Sequence, residues 1–132
     1  MNILVGYDGS VGARDALRLA REQAEITKGR VTVITSLVGD TETSEEEYAE
    51  AKEILAEVEQ SFQGSGIPLE THLIVLGKTP GEDIVEFAEK NAIDHIFIGV
   101  RKRSAVGKLI TGSNARLVIL NSSCPVTTTR GS

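Results

Sequence analysis

Between residues 99 and 115 the chain reads GVRKRSAVGKLITGSNA, with four cations, Arg101, Lys102, Arg103 and Lys108, and three glycines, Gly99, Gly107 and Gly112. A phosphate is held by N–H donors converging from backbone that can come close to it, and a helix N-terminus supplies such donors together with a favourable dipole. Gly112-Ser113-Asn114 has the composition of such a start. Gly99 lets the chain turn without placing a side chain in a crevice, and Gly107 gives the segment a second point of freedom. Four cations cannot all converge on one ligand, so one or two, with Arg101 and Lys102 foremost, are expected to face it. A solvated basic loop is the other reading of the same residues.

Familiar phosphate motifs fit poorly. A Walker A loop in this register needs glycine at 102 and serine or threonine at 109, where Lys102 and Leu109 stand. The dinucleotide fingerprint fails too, because GYDGSVG spaces its glycines as Gly6, Gly9 and Gly12 with no G-x-G. Near the start, Asp8 follows an apolar run and precedes Gly9-Ser10, which suits either a ligand contact or a turn former. No Ser-His-Asp set, paired acid and base or Cys-His pair can be nominated, so the residues point to no catalytic machinery. His72 and His95 read as structural or surface residues, and Cys124 as a small buried one.

The chain has 132 residues, 40% of them hydrophobic, which fits one domain with its own core. Its net charge of −5 is unevenly spread: no carboxylate follows Asp94, whereas six of the 14 cations do. Overall acidity argues against nucleic acid as a partner. No apolar run reaches the roughly 20 residues of a membrane helix, and MNILVGYDGS does not read as a secretory leader. A membrane partner is therefore not expected, and the expected location is cytoplasmic. One cysteine allows no internal disulfide and, with two histidines, suggests no metal site.

The elements that must position these residues follow from periodicity. Apolar runs at Ile3–Tyr7, Val31–Leu37, Thr71–Leu76, His95–Gly99 and Pro125–Thr129 read as strands. Between them, Ala13, Ala16, Leu17, Ala20 and Ala24 step at helical spacing, as do Tyr48, Ala51, Leu55, Val58 and Phe62, and then Ile84, Val85, Ala88 and Ala92. Ser44-Glu45-Glu46-Glu47 and Thr79-Pro80-Gly81-Glu82 are capping boxes, the second with proline where its missing N–H matters least. A short fourth helix from Gly112-Ser113 is expected to turn Ala115, Val118 and Ile119 inward. The alternation predicts a single doubly wound α/β domain whose five-stranded parallel sheet has the order 3-2-1-4-5 and helices on both faces. Ligands bind where that order reverses, between strands one and four. Tyr7-Asp8-Gly9-Ser10 and Gly99-Val100-Arg101-Lys102 are the loops there. The polar linker from 38 to 44 could flank the same place as a movable flap.

The chain resembles the universal stress protein family over essentially its whole length, through ILVGYDGS, GKTPGEDIVEFAEKNAIDHIFIG, GVRKRSAVGKLITGSNA and CPVTTTR. Nucleotide-binding members carry G-x2-G-x9-G-[ST] after the fourth strand, and the same register here reads Gly99-x2-Lys102-x9-Gly112-Ser113. Three of the four motif positions match, with Lys102 in place of the second glycine. The terminal Gly131-Ser132 reads as an appended remnant, and the resemblance implies a domain over 1–130 in which catalysis is at most slow ATP hydrolysis. It implies an ATP or AMP ligand, with Mg²⁺ or Mn²⁺ held through the phosphates. It places Asp8 against adenine or ribose, an adenine contact near Ser36, and phosphates on the backbone of Gly112, Ser113 and Asn114. It also implies a homodimer through the last strand, Pro125 to Thr129. Two functions remain open: a nucleotide-binding stress-response switch or interaction module, or a nucleotide-independent homodimer that has lost binding through Lys102. A different phosphorylated metabolite or an adenylate-forming reaction is a third reading, disfavoured by the short chain.

Overall fold

A computed structural model describes residues 1–38, 44–100 and 112–131. In chain order it comprises β1 (Asn2–Gly6), α1 (Val11–Thr27), β2 (Arg30–Val38), α2 (Glu45–Phe62), β3 (Leu69–Gly77), α3 (Pro80–Lys90), β4 (His95–Gly99), α4 (Ser113–Asn121) and β5 (Val126–Thr129). The five strands form one parallel sheet in the order β3-β2-β1-β4-β5, as the alternation of apolar and amphipathic segments predicts. The basic segment's residues 101–111, including Arg101 and Lys102, lie outside the described residues, as do 39–43 of the expected flap.

Both sheet faces are covered, and successive strand residues part between them. Ile3, Val5, Val31, Val33 and Phe97 pack under α1 and α2 with Leu55, Val58 and Phe62. Leu4, Ile34, Ile96 and Ile98 pack on the opposite face under α3 and α4 with Ile84, Ala88 and Val118. The buried residues of helix α1 are all small, Gly12, Ala13, Ala16, Ala20 and Ala24, with Leu17 and Leu19 packing on the core beside them. Its first turn therefore approaches the end of β4 closely: a Cβ at Gly99 would lie 2.4 Å from both the Gly12 carbonyl carbon and the Ala13 nitrogen. The glycine at 99 is thus demanded by α1 behind it, not by a turn in front of it.

Helix starts follow their caps. The Oγ atoms of Ser10 and Ser44 accept from the N–H groups of Ala13 and Glu47, and Thr79 Oγ1 accepts from Glu82, with Pro80 at the first helical position of α3. Several inward assignments fail at element ends. Tyr48 is exposed, because the first turn of α2 extends past the sheet and burial begins at Ala51. Ala92 stands beyond the end of α3 in a left-handed conformation with φ 50°, so it is exposed and outside the helical stripe. Ile119 is 47% exposed: α4 packs chiefly on α3, which leaves it a narrow inward stripe of Ala115 and Val118.

Cys124 is half-buried, its N–H donating to Ser122 Oγ at 3.2 Å. His95 begins β4, stacked on Phe97 at 4.4 Å with Nε2 2.7 Å from Thr127 Oγ1, and burial holds its pKa below the ordinary value. It stands about 13 Å along the strand from Gly99, given the rise of an extended chain. His72 is exposed on β3 beside Glu70 and Phe87.

Candidate functional site

Strands β1 and β4 are neighbours that lead to opposite sides of the sheet, so their carboxyl ends open a crevice. A cavity of about 160 Å³ occupies it. Its walls are apolar on the α3/α4 face, formed by Ile34, Ile84, Ile98, Ala115 and Val118. Tyr7, Asp8, Ser36 and Asn114 contribute polar groups, and Gly6, Gly99, Ala13 and Pro80 are the other described residues that line it. Four of the residues singled out in the sequence, Asp8, Ser36, Gly99 and Asn114, therefore border one space.

Each is placed by backbone geometry. The Tyr7 N–H donates to the Ile34 carbonyl at 2.9 Å, and the Thr35 hydroxyl donates to the Tyr7 carbonyl at 2.7 Å, holding the end of β1 against β2. Pairing of β1 with β2 stops at Gly6↔Ile34, whereas β2 runs on to Val38. The edge of β2 around Ser36 thus faces the crevice with no β1 residue beside it. Farther along, the register against β3 shifts between Ser36 and Val38, an irregularity of the kind that commonly borders sites. Asp8 is also a turn former: its Oδ1 accepts from the Ser10 N–H at 2.9 Å, and Gly9 takes φ +79°. The turn reading and the cavity position are compatible, since the carboxylate has a second oxygen.

Gly112 and Ser113 are not in the cavity lining but begin the adjacent helix. Gly112 is the N-cap, and Ser113 the first helical residue. Alone among the four described helices, α4 starts without a side-chain cap hydrogen bond. Its leading N–H groups can therefore serve an anion. The Asn114 side chain is turned aside: Oδ1 accepts from the Gly81 N–H at 2.9 Å. This bond joins the starts of α3 and α4, and a Cβ at Gly81 would lie 2.8 Å from the Asn114 carbonyl oxygen.

Asp83 escaped the sequence reading. It is 6% exposed in the first turn of α3; its Oδ2 accepts from the Ser36 hydroxyl and its Oδ1 from the Lys78 N–H at 3.1 Å. A carboxylate in GEDIVEF looks like helix surface. Only a position one step off the Ile84 and Ala88 stripe hinted otherwise. Among the described residues no group of three or more His, Cys, Asp or Glu side chains is arranged to hold a metal ion, and no helix is long and apolar enough to cross a membrane.

Comparison with known proteins places this architecture. The family model described as "Universal stress protein family" matches residues 1–130. A universal stress protein of Methanocaldococcus jannaschii is 32% identical, over 94% of this chain and 78% of its own. A solved structure of the universal stress protein from Archaeoglobus fulgidus is 43% identical, with a TM-score of 0.89 and 98% of each chain covered. A second, of the universal stress protein from Archaeoglobus fulgidus in complex with dAMP, is 37% identical, with a TM-score of 0.81 and the same coverage.

Proposed function

The chain belongs to the universal stress protein family, and from that premise we propose that it binds an adenine nucleotide, AMP or ATP, where β1 and β4 end. The observation that carries the reading is the convergence of Asp8, Ser36, Gly99 and Asn114 on one apolar-walled cavity beside an uncapped helix N-terminus. An adenine ring suits walls made of Ile34, Ile84, Ile98 and Val118, with Ser36 at its polar edge. The free oxygen of Asp8 suits a ribose hydroxyl. The N–H groups of Gly112, Ser113 and Asn114 take the phosphates, aided by Arg101 and Lys102. The complex of the 37% identical relative with dAMP supports the same ligand class.

On this reading Lys102, in place of the motif's second glycine, adds a cation to the site instead of removing it. Any Mg²⁺ or Mn²⁺ is carried by the phosphates of the ligand. We assign no catalytic residue; occupancy acts as a signal that alters what the protein binds. Calorimetry on nucleotide-free protein with Mg²⁺ is expected to give micromolar affinity for AMP or ATP, about −8 kcal/mol. Gly112→Val, whose φ of −59° any residue tolerates, is expected to weaken it by crowding the phosphates. Absence of binding to the nucleotide-free wild type would overturn the reading and favour the nucleotide-independent form.

A homodimer through β5 is proposed alongside. This strand is a sheet edge, with Pro125 just before it and Thr128 exposed, and an unpaired edge is a pairing surface. Sedimentation at micromolar concentration is expected to give a dimer; a monomer alone would refute it.

A further inference from the structure

We propose that Asp83 sets base specificity from behind the site, by making Ser36 a hydrogen-bond acceptor only. This rests on the proposed nucleotide reading. The Ser36 hydroxyl has one hydrogen, and it goes to Asp83 Oδ2, because a carboxylate has none to give in return. The Asp83 carboxylate lies in the first turn of α3, where the helix dipole favours an anion, and its Oδ1 accepts from the Lys78 N–H. What Ser36 Oγ offers the cavity is therefore a lone pair. Ser36 follows Ile34 on the α3/α4 face of β2, so its oxygen meets the polar edge of a base held among Ile34 and Ile84. A lone pair accepts from an amino group and repels a carbonyl oxygen. The site thus selects a 6-aminopurine over a 6-oxopurine.

Asp83→Asn reverses this polarity with little change in shape. The Lys78 N–H is fixed by the backbone and keeps its acceptor, so the introduced amide turns its oxygen toward that N–H and its nitrogen toward Ser36. Ser36 Oγ then accepts from the amide, and its own hydrogen is freed to point into the cavity. Asp83 is a positioning residue, and the informative quantity is a ratio.

Affinities for AMP and inosine 5′-monophosphate would be measured by calorimetry on both proteins. The wild type is expected to prefer AMP by roughly tenfold or more, and Asp83→Asn to bring the ratio close to unity by losing AMP affinity and gaining affinity for the oxo nucleotide. Equal weakening of both ligands, with the ratio preserved, would reduce Asp83 to a structural role and overturn the inference. Equal affinity in the wild type would overturn it as well. No binding of either nucleotide to the wild type is the distinct failure of the nucleotide reading itself, and this inference falls with it. If Asp83→Asn does not fold, Ser36→Ala serves: it removes the acceptor and leaves the carboxylate, so an unchanged AMP preference would refute the proposal.

Discussion

Replacing Gly99 by alanine is expected to lower the unfolding free energy by about 3 kcal/mol, the upper part of the range for forced overpacking. The added methyl would meet backbone on both sides of one peptide, the Gly12 carbonyl carbon and the Ala13 nitrogen, each at 2.4 Å. No rotamer change relieves a clash with backbone. Nor can α1 simply lift away, because the Thr129 hydroxyl donates to the Gly12 carbonyl at 2.6 Å in a buried position and the Val100 N–H donates to the Thr129 carbonyl at 2.7 Å. Moving α1 would break the tie between its first turn and β5. In urea, with a slope of about 1.5 kcal/mol per molar, the midpoint should fall by about 2 M. A shift below a quarter of that would show that this junction relaxes and that the approach of α1 to β4 is not obligatory.

The second large effect is on binding. Ala115→Leu is expected to reduce AMP affinity by about tenfold or more, at least roughly 1.4 kcal/mol, without loss of stability. Ala115 is 8% exposed and lines the cavity on the inward stripe of α4, so leucine adds three carbons to space the base would use. Filling a cavity with apolar atoms commonly stabilises a fold by about 0.5–2 kcal/mol. A rise or constancy in the thermal midpoint together with lost affinity separates occlusion from misfolding. Full AMP affinity in a folded Ala115→Leu protein would mean that the ligand sits elsewhere.

The two effects divide along a line that was partly legible in the chain. Periodicity located the strands and the long helices because burial on both faces of a parallel sheet leaves apolar runs, and on one face of a helix leaves a stripe. The capping boxes marked Ser44 and Thr79 because a side-chain oxygen three residues before an N–H is a local arrangement. Asp8 and Gly112-Ser113-Asn114 were found for the same reason: turn and helix-start chemistry lies within a few residues. The reason for Gly99 was not legible, since the atoms that exclude a Cβ there belong to α1, 86 or 87 positions earlier in the chain. Ile119 was misplaced because a helix that leans mainly on one neighbour buries a narrower stripe than its composition suggests.

Fold class, strand order and the end of the sheet at which a ligand would sit were all readable from the chain, because they depend on local period, local caps and the handedness of crossovers. Which groups share the cavity, and what each is free to do, came only with the packed domain. Ser36 and Asp83 stand 47 positions apart and meet only when α3 folds onto the face of β2 beyond its last β1 partner. Asn114, whose backbone was read as a phosphate ligand, also ties α4 to α3 through its side-chain Oδ1, a tie that joins residues 33 positions apart. A hydrogen bond has one donor and one direction, and those are set by the partner across the fold, which no spacing along the chain encodes.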